Sequence, residues 1–493
     1  MDPLIFSFVV YLVIVIIVGF ITSRKMLNHS EFFLGGQKIP GWVITISERA
    51  SGESAWLLLG LTGAALSVGL GEIWTVIGCV AGILFLWFFL GGRLRKELEQ
   101  YDAITLPEFL AQRFTDPKNH IRWLASLIII FFFAFYVSAQ MVGAGKVLMK
   151  TQIVTAEWEL VLGSITISPE VWGIFLGAVI VVVYTFLGGF RAVVWTDLMQ
   201  GFIMLFALIA LPIIGTIELL EQGGSIGNAL AQAGPEKASW FSAKPFWPSV
   251  SLLLGGLAWG LGYMGQPHLL VRFMALPKAE EVKKLRWLAG SWTVLAYGGA
   301  FSIGLIGLAL YGSGELTQDT EKIMPMLAMN LLPPWFAGIV ISGAVAAMMS
   351  TADSQLLVVT SAFSEDITTR IFKKKLSDKQ KVQLSRLVTL LLGTLAFILA
   401  ITSKDTVYAM VSFAWSGLGA SFGPVILLMF IWPKLNRQGV LACLVTGSVS
   451  TIIWKISPLD AWVSHRLAAW VLAITVAILT TKWTSQTSFC PNN

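Results

Sequence analysis

Apolar segments of membrane-spanning length recur along the whole chain and limit what it can fold into. About 20 apolar residues suffice to cross the hydrocarbon core of a bilayer. Thirteen such runs stand at residues 4–23, 41–69, 73–92, 123–145, 169–187, 192–220, 246–271, 287–312, 334–362, 387–403, 406–432, 438–456 and 467–481. Only 13% of the residues are charged, against about 25% in soluble domains. The sequence therefore predicts an all-α, polytopic membrane protein with about 13 transmembrane helices.

The Lys and Arg residues predict which side of the membrane each loop faces. With the N-terminus outside, 25 of the 34 basic residues fall on the cytoplasmic side and seven on the outer side. Because cytoplasmic loops carry an excess of basic residues, we expect a multi-pass protein of the plasma (inner) membrane with a cytoplasmic C-terminus. The N-terminus lacks the basic region of a cleaved signal peptide, so span 4–23 is expected to be retained. The net charge of +6 arises in these loops and predicts no nucleic-acid partner.

The second and seventh apolar runs are both interrupted near their centres. Glu48, Arg49 and Glu53 stand inside run 41–69, where each charge costs about 2.5–3.5 kcal/mol on insertion scales. The stretch from Trp259 to Pro267 contains three glycines and a proline. Irregular backbone at membrane depth is tolerated where it lines a protein-enclosed cavity, and paired interrupted spans indicate the binding site of a transporter.

The spacing of these two runs predicts an internal repeat. They lie five spans apart, so residues 41–220 and 246–432 would form two five-span repeats. An odd number of spans per repeat forces the second repeat into the inverted orientation. We expect one transporter domain over residues 1–493, with an extra span at 4–23 and two C-terminal spans at 438–481.

The ninth run ends in a face of small and hydroxyl-bearing residues. Ala347, Ser350, Thr351 and Ser354 follow the i, i+3, i+4, i+7 spacing of one helix face. Their oxygens suit a hard cation such as sodium, although hydroxyls at such positions also bond to carbonyls one turn earlier. Asp353 adds an acid beside them.

Other polar and aromatic residues of the spans have two interpretations. Asp197, near the start of the sixth run, is either part of an ion site or an acid at the membrane interface. Arg49 and Glu53 could pair at i, i+4 spacing. The aromatic residues Tyr136, Trp259, Tyr263 and Trp415 could stack on an organic solute or pack in the core.

The sequence contains no pattern typical of an enzyme. No Ser/His/Asp arrangement stands out, and the three cysteines (Cys79, Cys443, Cys490) and four histidines show no metal-ligand spacing. We therefore expect no catalytic activity.

Ten short motifs occur along nearly the whole length of the chain. They are Gly92–Arg95, Leu106–Phe109, Gly188–Phe190, Trp195–Asp197, Trp259–His268, Arg272–Met274, Met349–Thr351, Ser364–Asp366, Ala414–Gly417 and Phe422–Pro424. In these motifs the chain resembles the sodium:solute symporter family, and within it most the bacterial sodium/proline symporters. The Trp259–His268 block is the most specific to the proline branch.

The resemblance implies a fold and a set of ion ligands. The fold would be the leucine-transporter type, with a 5+5 inverted repeat and broken helices in the second and seventh spans. The sodium ligands would be the carbonyl oxygens of Ala50, Glu53 and Ala347 with the hydroxyls of Ser350 and Thr351. A second sodium or proton site would involve Asp197, Ser350, Asp353 and Ser354.

The resemblance also implies where the solute binds. Its site would lie near Ser54, Trp56, Gly60, Tyr136, Trp259, Tyr263 and Ser416. Two positions depart from the pattern of the proline symporters. Their aspartate two residues before the matched serine is replaced by Gly52, with the acid one step later at Glu53, and Asp353 stands where a hydroxyl or small residue is expected.

The expected function is sodium-coupled secondary active import of a small organic solute, with proline as the first candidate. The departures at Gly52 and Asp353 keep open another amino acid, a sugar or a carboxylate as solute, and a proton as coupling ion. A transporter-like membrane sensor is the alternative from another class, but the chain carries no soluble segment of domain length. The expected partners are the solute, sodium and the lipid bilayer, and the expected state is a monomer.

Overall fold

The computed structural model describes residues 2–23, 34–101, 103–162, 165–187, 189–312, 319–374 and 376–487, so Cys490 lies outside the described residues. The α-helices are α1 (Pro3–Ser23), α2 (Gly41–Ala55), α3 (Thr62–Val68), α4 (Ile73–Phe85), α5 (Gly91–Leu98), α6 (Leu106–Arg113), α7 (His120–Lys150), α8 (Pro169–Leu187), α9 (Phe190–Glu221), α10 (Ile226–Ala233), α11 (Pro235–Ala238), α12 (Phe246–Leu257), α13 (Trp259–Gly262), α14 (Pro267–Ala275), α15 (Ala279–Tyr311), α16 (Ile323–Leu331), α17 (Pro334–Ser361), α18 (Asp378–Thr402), α19 (Val407–Ile431), α20 (Arg437–Ile456) and α21 (His465–Thr487). Segments Trp56–Leu61, Leu86–Leu90 and Ala362–Ile371 are π-helical. The chain is thus predominantly helical.

One short hairpin departs from the all-α prediction. Strands β1 (Leu160–Leu162) and β2 (Ile165–Ile167) pair antiparallel between α7 and α8, with Val161 opposite Thr166. Aliphatic and β-branched side chains favour extended backbone, and the segment is too short to continue either helix across the membrane. The hairpin lies outside the apolar runs and leaves the helical architecture unchanged.

Ten helical segments in the described residues are long and apolar enough to cross a membrane. Residues Gly41–Leu98 count as one of them, although they contain both predicted runs 41–69 and 73–92. The run at 169–187 forms a shorter apolar helix, and the run at 246–271 is divided among α12, α13 and α14. The multi-pass membrane architecture is confirmed at this level, and the count of thirteen spans stays a prediction.

Helix α17 occupies the centre of the helix bundle. It packs against α1, α2, α7 and α9, and every residue from Val340 to Ser361 is buried. A helix that is buried on all sides needs no polar stripe, so the small and hydroxyl-bearing residues of α17 all face other helices. The hydroxyl face predicted from sequence is therefore inside the protein.

Glycines allow the third and seventh runs to cross at backbone contact. A Cβ atom built on Gly260 would lie 2.1 Å from the carbonyl oxygen of Gly78, and one on Gly82 would lie 2.2 Å from that of Gly260. Real Cβ atoms do not approach an oxygen this closely. Small residues at helix interfaces permit such close packing within membranes.

We expect Gly260→Ala to destabilise the protein, because the added methyl group cannot fit against Gly78. Overpacking of this kind costs about 1–3 kcal/mol, so the apparent unfolding temperature in detergent should fall by several degrees. Gly298→Ala, in α15, is the matched control since nothing lies within 4 Å of its Cβ position. Equal unfolding temperatures for the two variants would contradict the backbone crossing.

Candidate functional site

The α2 helix ends at an abrupt break in the middle of the bundle. Ser54 has φ 46° and ψ −175°, a conformation that a residue with a side chain rarely adopts. The backbone N–H of Ala55, freed by the break, donates to Oε1 of Gln140 on α7 at 3.0 Å. The break is therefore built into the fold, and Gln140 satisfies the polar group that it exposes.

The seventh run is broken in a corresponding way. Its helical backbone stops at Gln266, which is extended with ψ 107°, and resumes with Pro267 as the first residue of α14. A residue before proline is pushed towards extended backbone. The side-chain nitrogen of Gln266 donates to the carbonyls of Gly262 and Trp415 at 3.2 and 3.0 Å, so that a glutamine again supports the break.

The hydroxyl face of α17 contacts the backbone of α2 just before its break. Ser350 Oγ lies 3.3 Å from the carbonyl oxygen of Ala50 and 3.1 Å from that of Ala347. Thr351 Oγ1 donates to the carbonyl of Ser51 at 2.9 Å. Four of these five oxygens, all except the carbonyl of Ser51, are predicted sodium ligands, and Ser350 Oγ lies within 3.3 Å of two of the others.

Glu53 contributes differently from the other predicted ligands. Its carbonyl oxygen accepts the backbone N–H of Trp56, and Ser51 provides the carbonyl that faces Thr351. The Glu53 side chain is fully buried, and neither carboxylate oxygen has a hydrogen-bond partner among the described residues. The guanidinium group of Arg49 and the indole of Trp292 are close enough to interact with this carboxylate. It is a buried acid next to the break.

An aromatic cluster lies between the two broken segments. The ring of Trp56 stacks on that of Trp259, with centroids 4.6 Å apart and planes 10° from parallel. Tyr263 contacts Trp415 edge-on at 4.6 Å, and its hydroxyl bonds to that of Tyr297. The cluster brings together three of the predicted solute residues, and it adds Tyr297, which was not predicted.

Several polar atoms around this cluster are buried without a partner among the described residues. They are Trp56 Nε1, Tyr136 Oη, Gln266 Oε1 and both ring nitrogens of His268. Tyr136 lies beside Ser54, and its ring is 6.0 Å from that of His268 and 6.3 Å from that of Trp415. Buried polar groups are normally hydrogen-bonded, so these atoms are available to bind a polar ligand or water.

Two predicted solute residues have structural contacts of their own. A Cβ atom on Gly60 would lie 3.2 Å from Cβ of Tyr408, so Gly60 lets α19 approach the π-helical segment. Ser416 Oγ donates to the carbonyl of Ser412 at 2.7 Å, one turn earlier in α19. Both residues border the aromatic cluster through α19.

A second polar cluster surrounds Asp197 on α9. Asp197 Oδ2 lies 2.6 Å from Ser47 Oγ, 3.0 Å from Ser51 Oγ and 2.9 Å from Nη2 of Arg272. Asp197 is fully buried and is not at the water interface, so the alternative of an interface acid is wrong. Arg272 is also buried within α14, although the predicted seventh run ends one residue before it, at residue 271.

The other two residues predicted for this region lie on α17. Ser354 Oγ is 2.5 Å from Arg272 Nη2 and 3.0 Å from Ser51 Oγ. Asp353 is fully buried, with Oδ1 at 3.3 Å from Ser354 Oγ and Oδ2 without a partner among the described residues. The structure thus brings Asp197, Asp353 and Ser354 together, one helix turn beyond Ser350.

Arg49 pairs with Glu48 and not with Glu53. Its Nε donates to Glu48 Oε2 at 2.6 Å and its Nη2 bonds to Oε1, while the indole of Trp87 donates to Oε2 at 3.1 Å. All three side chains are buried. The two charges in the centre of α2 therefore neutralise each other, which reduces the cost of their depth in the membrane.

We expect Glu48→Gln to destabilise the protein far more than Glu53→Gln. Removing one partner of a buried ion pair leaves an uncompensated charge and costs about 3–5 kcal/mol, whereas neither carboxylate oxygen of Glu53 has a hydrogen-bond partner among the described residues. The unfolding temperature and the yield of folded protein measure the difference. A greater loss of stability in Glu53→Gln than in Glu48→Gln would show that Glu53, and not Glu48, stabilises the charge of Arg49.

Some residues of these clusters were not predicted from the sequence. Ser47 and Ser51 are spaced i, i+4 in the polar centre of run 41–69, and that spacing could have revealed them. Arg272 follows the Trp259–His268 block by four residues, and it was missed because it stands just beyond the predicted end of the seventh run. Gln140 and Tyr297 stand in ordinary apolar runs and carry no such signal.

Comparisons with known proteins show the family of the chain. The model of the sodium:solute symporter family matches residues 32–447. The chain is 35% identical over 459 residues to the sodium/proline symporter of Escherichia coli, covering 92% of this chain and 88% of that protein. It is 36% identical over 476 residues to the high-affinity proline transporter of Bacillus subtilis, covering 96% and 97% of the two chains.

The fold resembles that of a solved transporter. The structure of a sodium-coupled sialic acid symporter in its substrate-bound, outward-open state superposes with a TM-score of 0.76, at 20% identity and with 97% and 98% of the two chains covered. At that identity the likeness concerns the fold alone. The family match and the two relatives span most of the sequence, and the chain therefore belongs to the sodium:solute symporter family.

Proposed function

We propose that the protein imports a small organic solute across the plasma (inner) membrane, driven by sodium entry, and that the solute is proline. The observation that carries the proposal is the contact of the α17 hydroxyls with α2 carbonyls beside the break at Ser54. This contact joins a set of oxygens suited to sodium to a helix end that also borders the aromatic cluster. One ion could then hold the solute site in shape.

The proposed topology is the one expected from the sequence. The protein would have thirteen spans, with the N-terminus outside and the C-terminus in the cytoplasm, and would act as a monomer. Residues 41–220 and 246–432 would be the two inverted repeats of one transporter domain. The breaks at Ser54 and Gln266 support this division because they fall in the second and seventh runs, at the start of each proposed repeat.

Sodium would bind where α2 meets α17. Its ligands would be the carbonyls of Ala50, Glu53 and Ala347 and the hydroxyls of Ser350 and Thr351. Ser350 already lies within 3.3 Å of two of these carbonyls. Neutral oxygens of this kind suit a hard monovalent cation, and binding would draw the broken end of α2 onto α17.

The solute would lie among Ser54, Trp56, Gly60, Tyr136, Trp259, Tyr263 and Ser416. The apolar ring of proline would pack on the aromatic faces, and its ammonium group is of the kind that such faces attract. Trp56 Nε1 and Tyr136 Oη, which lack hydrogen-bond partners among the described residues, could donate to its carboxylate. Two close relatives that are named for proline transport support this choice of solute.

Sodium entry supplies enough free energy for uptake against a gradient. One charge crossing 100 mV gains about 2.3 kcal/mol, which corresponds to about forty-fold accumulation of solute. Alternating access would couple the two movements, because release of sodium on the cytoplasmic side would loosen the contact between α2 and α17.

Uptake into proteoliposomes tests this proposal. We expect labelled proline to accumulate only under an inward sodium gradient, with accumulation increased by an inside-negative potential. A parallel panel should contain other amino acids, a sugar and a carboxylate. Uptake driven by a proton gradient without sodium, or a preference for another solute, would overturn the corresponding half of the proposal.

The sodium ligands can be tested by removing both hydroxyls of α17. We expect Ser350→Ala with Thr351→Ala to raise the sodium concentration for half-maximal uptake by about tenfold or more, since each lost oxygen contact contributes about 0.5–1.5 kcal/mol. Thr360→Ala with Ser361→Ala is the matched control, because among the described residues these hydroxyls bond to the carbonyls of Leu357 and Val358 in their own helix. An unchanged sodium requirement in the first variant would refute the site.

A further inference from the structure

The guanidinium group of Arg272 lies in the middle of the pocket that was expected to hold a second cation. Its Nη2 is 2.5 Å from Ser354 Oγ, 2.6 Å from Ser51 Oγ and 2.9 Å from Asp197 Oδ2. Its Nε is 3.1 Å from Ser47 Oγ, and its Nη1 donates to the carbonyl of His268 at 2.6 Å. Five oxygens thus surround one positively charged side chain.

These contacts use the oxygens that a second sodium ion would need. Asp197 Oδ2 receives contacts from two serine hydroxyls and from Arg272. Ser354 Oγ donates to the carbonyl of Ser350 at 2.7 Å and turns its lone pairs towards Arg272 and Ser51. A cation at this position would have to displace the guanidinium.

The charges lead to the same conclusion. Asp197 and Arg272 form a fully buried ion pair, and a buried pair is far more stable with both partners than with one. A sodium ion beside the guanidinium would meet a like charge in a region of low dielectric constant, where repulsion is strong. The pocket is therefore already neutralised around Asp197.

We propose that Arg272 is the resident cation of the pocket formed by Ser47, Ser51, Asp197 and Ser354, so that this pocket binds no sodium. The inference rests on the proposed function and deepens it, because it limits the protein to the single sodium ion held between α2 and α17. Asp353 Oδ2 and Asp197 Oδ1 have no hydrogen-bond partner among the described residues, so they remain as acceptors for a rival second ion.

Arg272 also connects three helices of the proposed transporter. It stands on α14, directly after the break at Gln266, and it contacts α2 through Ser47 and Ser51 and α17 through Ser354. Arg272 is thus a positioning residue that links the second broken segment to the first.

Counting bound sodium tests the inference directly. Equilibrium binding of ²²Na⁺ to purified protein in detergent should give about one ion per wild-type chain, and Arg272→Gln should raise this to about two, because the pocket regains an uncompensated Asp197. The double variant Asp197→Asn with Arg272→Gln should return the count to about one. Arg286→Gln is the control. It removes an arginine of α15 that stacks over the ring of Phe88, and it should leave the count at one.

The outcomes separate this inference from the proposed function. Absence of sodium binding and of sodium-driven uptake would refute the function itself. Two ions per wild-type chain, or a single ion in a folded Arg272→Gln variant, would refute the role of Arg272 while leaving sodium coupling in place. If Arg272→Gln does not fold, Arg272→Lys and the wild type still decide the matter, because the inference requires one ion in both.

Discussion

The contact between the centre of α2 and the hydroxyl face of α17 is the interaction on which the rest of the structure depends. In a bilayer an unsatisfied backbone group costs several kcal/mol, so a broken helix needs partners wherever its hydrogen bonds stop. Gln140 provides one at the break of α2 and Gln266 provides another in the seventh run. Ser350 and Thr351 reach the last carbonyls of α2 from α17. The polar centre of the protein is held together by these few contacts, and the surrounding helices shield them from lipid.

A second constraint is that charges within the bundle must be neutralised nearby. Glu48 with Arg49, and Asp197 with Arg272, form buried pairs in or beside α2. Glu53 and Asp353 each keep carboxylate oxygens without a hydrogen-bond partner among the described residues. Both acids follow the α2–α17 contact along the chain, Glu53 beside the aromatic cluster and Asp353 beside Arg272. The two positions at which the sequence departs from the proline symporters are therefore close to the positions where ligands act in this account.

The sequence predicted the succession of membrane helices because few kinds of backbone structure are compatible with a membrane. The helical runs followed from hydropathy, and the break at Gln266 followed from the proline after it. The break at Ser54 could be placed only roughly, since Gly52 is helical and no proline stands nearby. The partner of Arg49 could not be predicted, because Glu48 and Glu53 are both within reach and the Trp87 indole, distant in sequence, supports Glu48. Arg272 was misplaced because hydropathy ends a span at the first charge, whereas a buried acid on α9 stabilises that charge inside the protein.

The central claim is that sodium at the α2–α17 contact organises the solute site, and calorimetric titration of proline tests it most directly. Coupling between two ligands is reciprocal, so proline should bind more tightly in sodium than in potassium, and sodium should bind more tightly with proline present by the same factor. Substitution of Ser350 and Thr351 by alanine should abolish that factor. Equal proline affinity in sodium and in potassium would contradict the account.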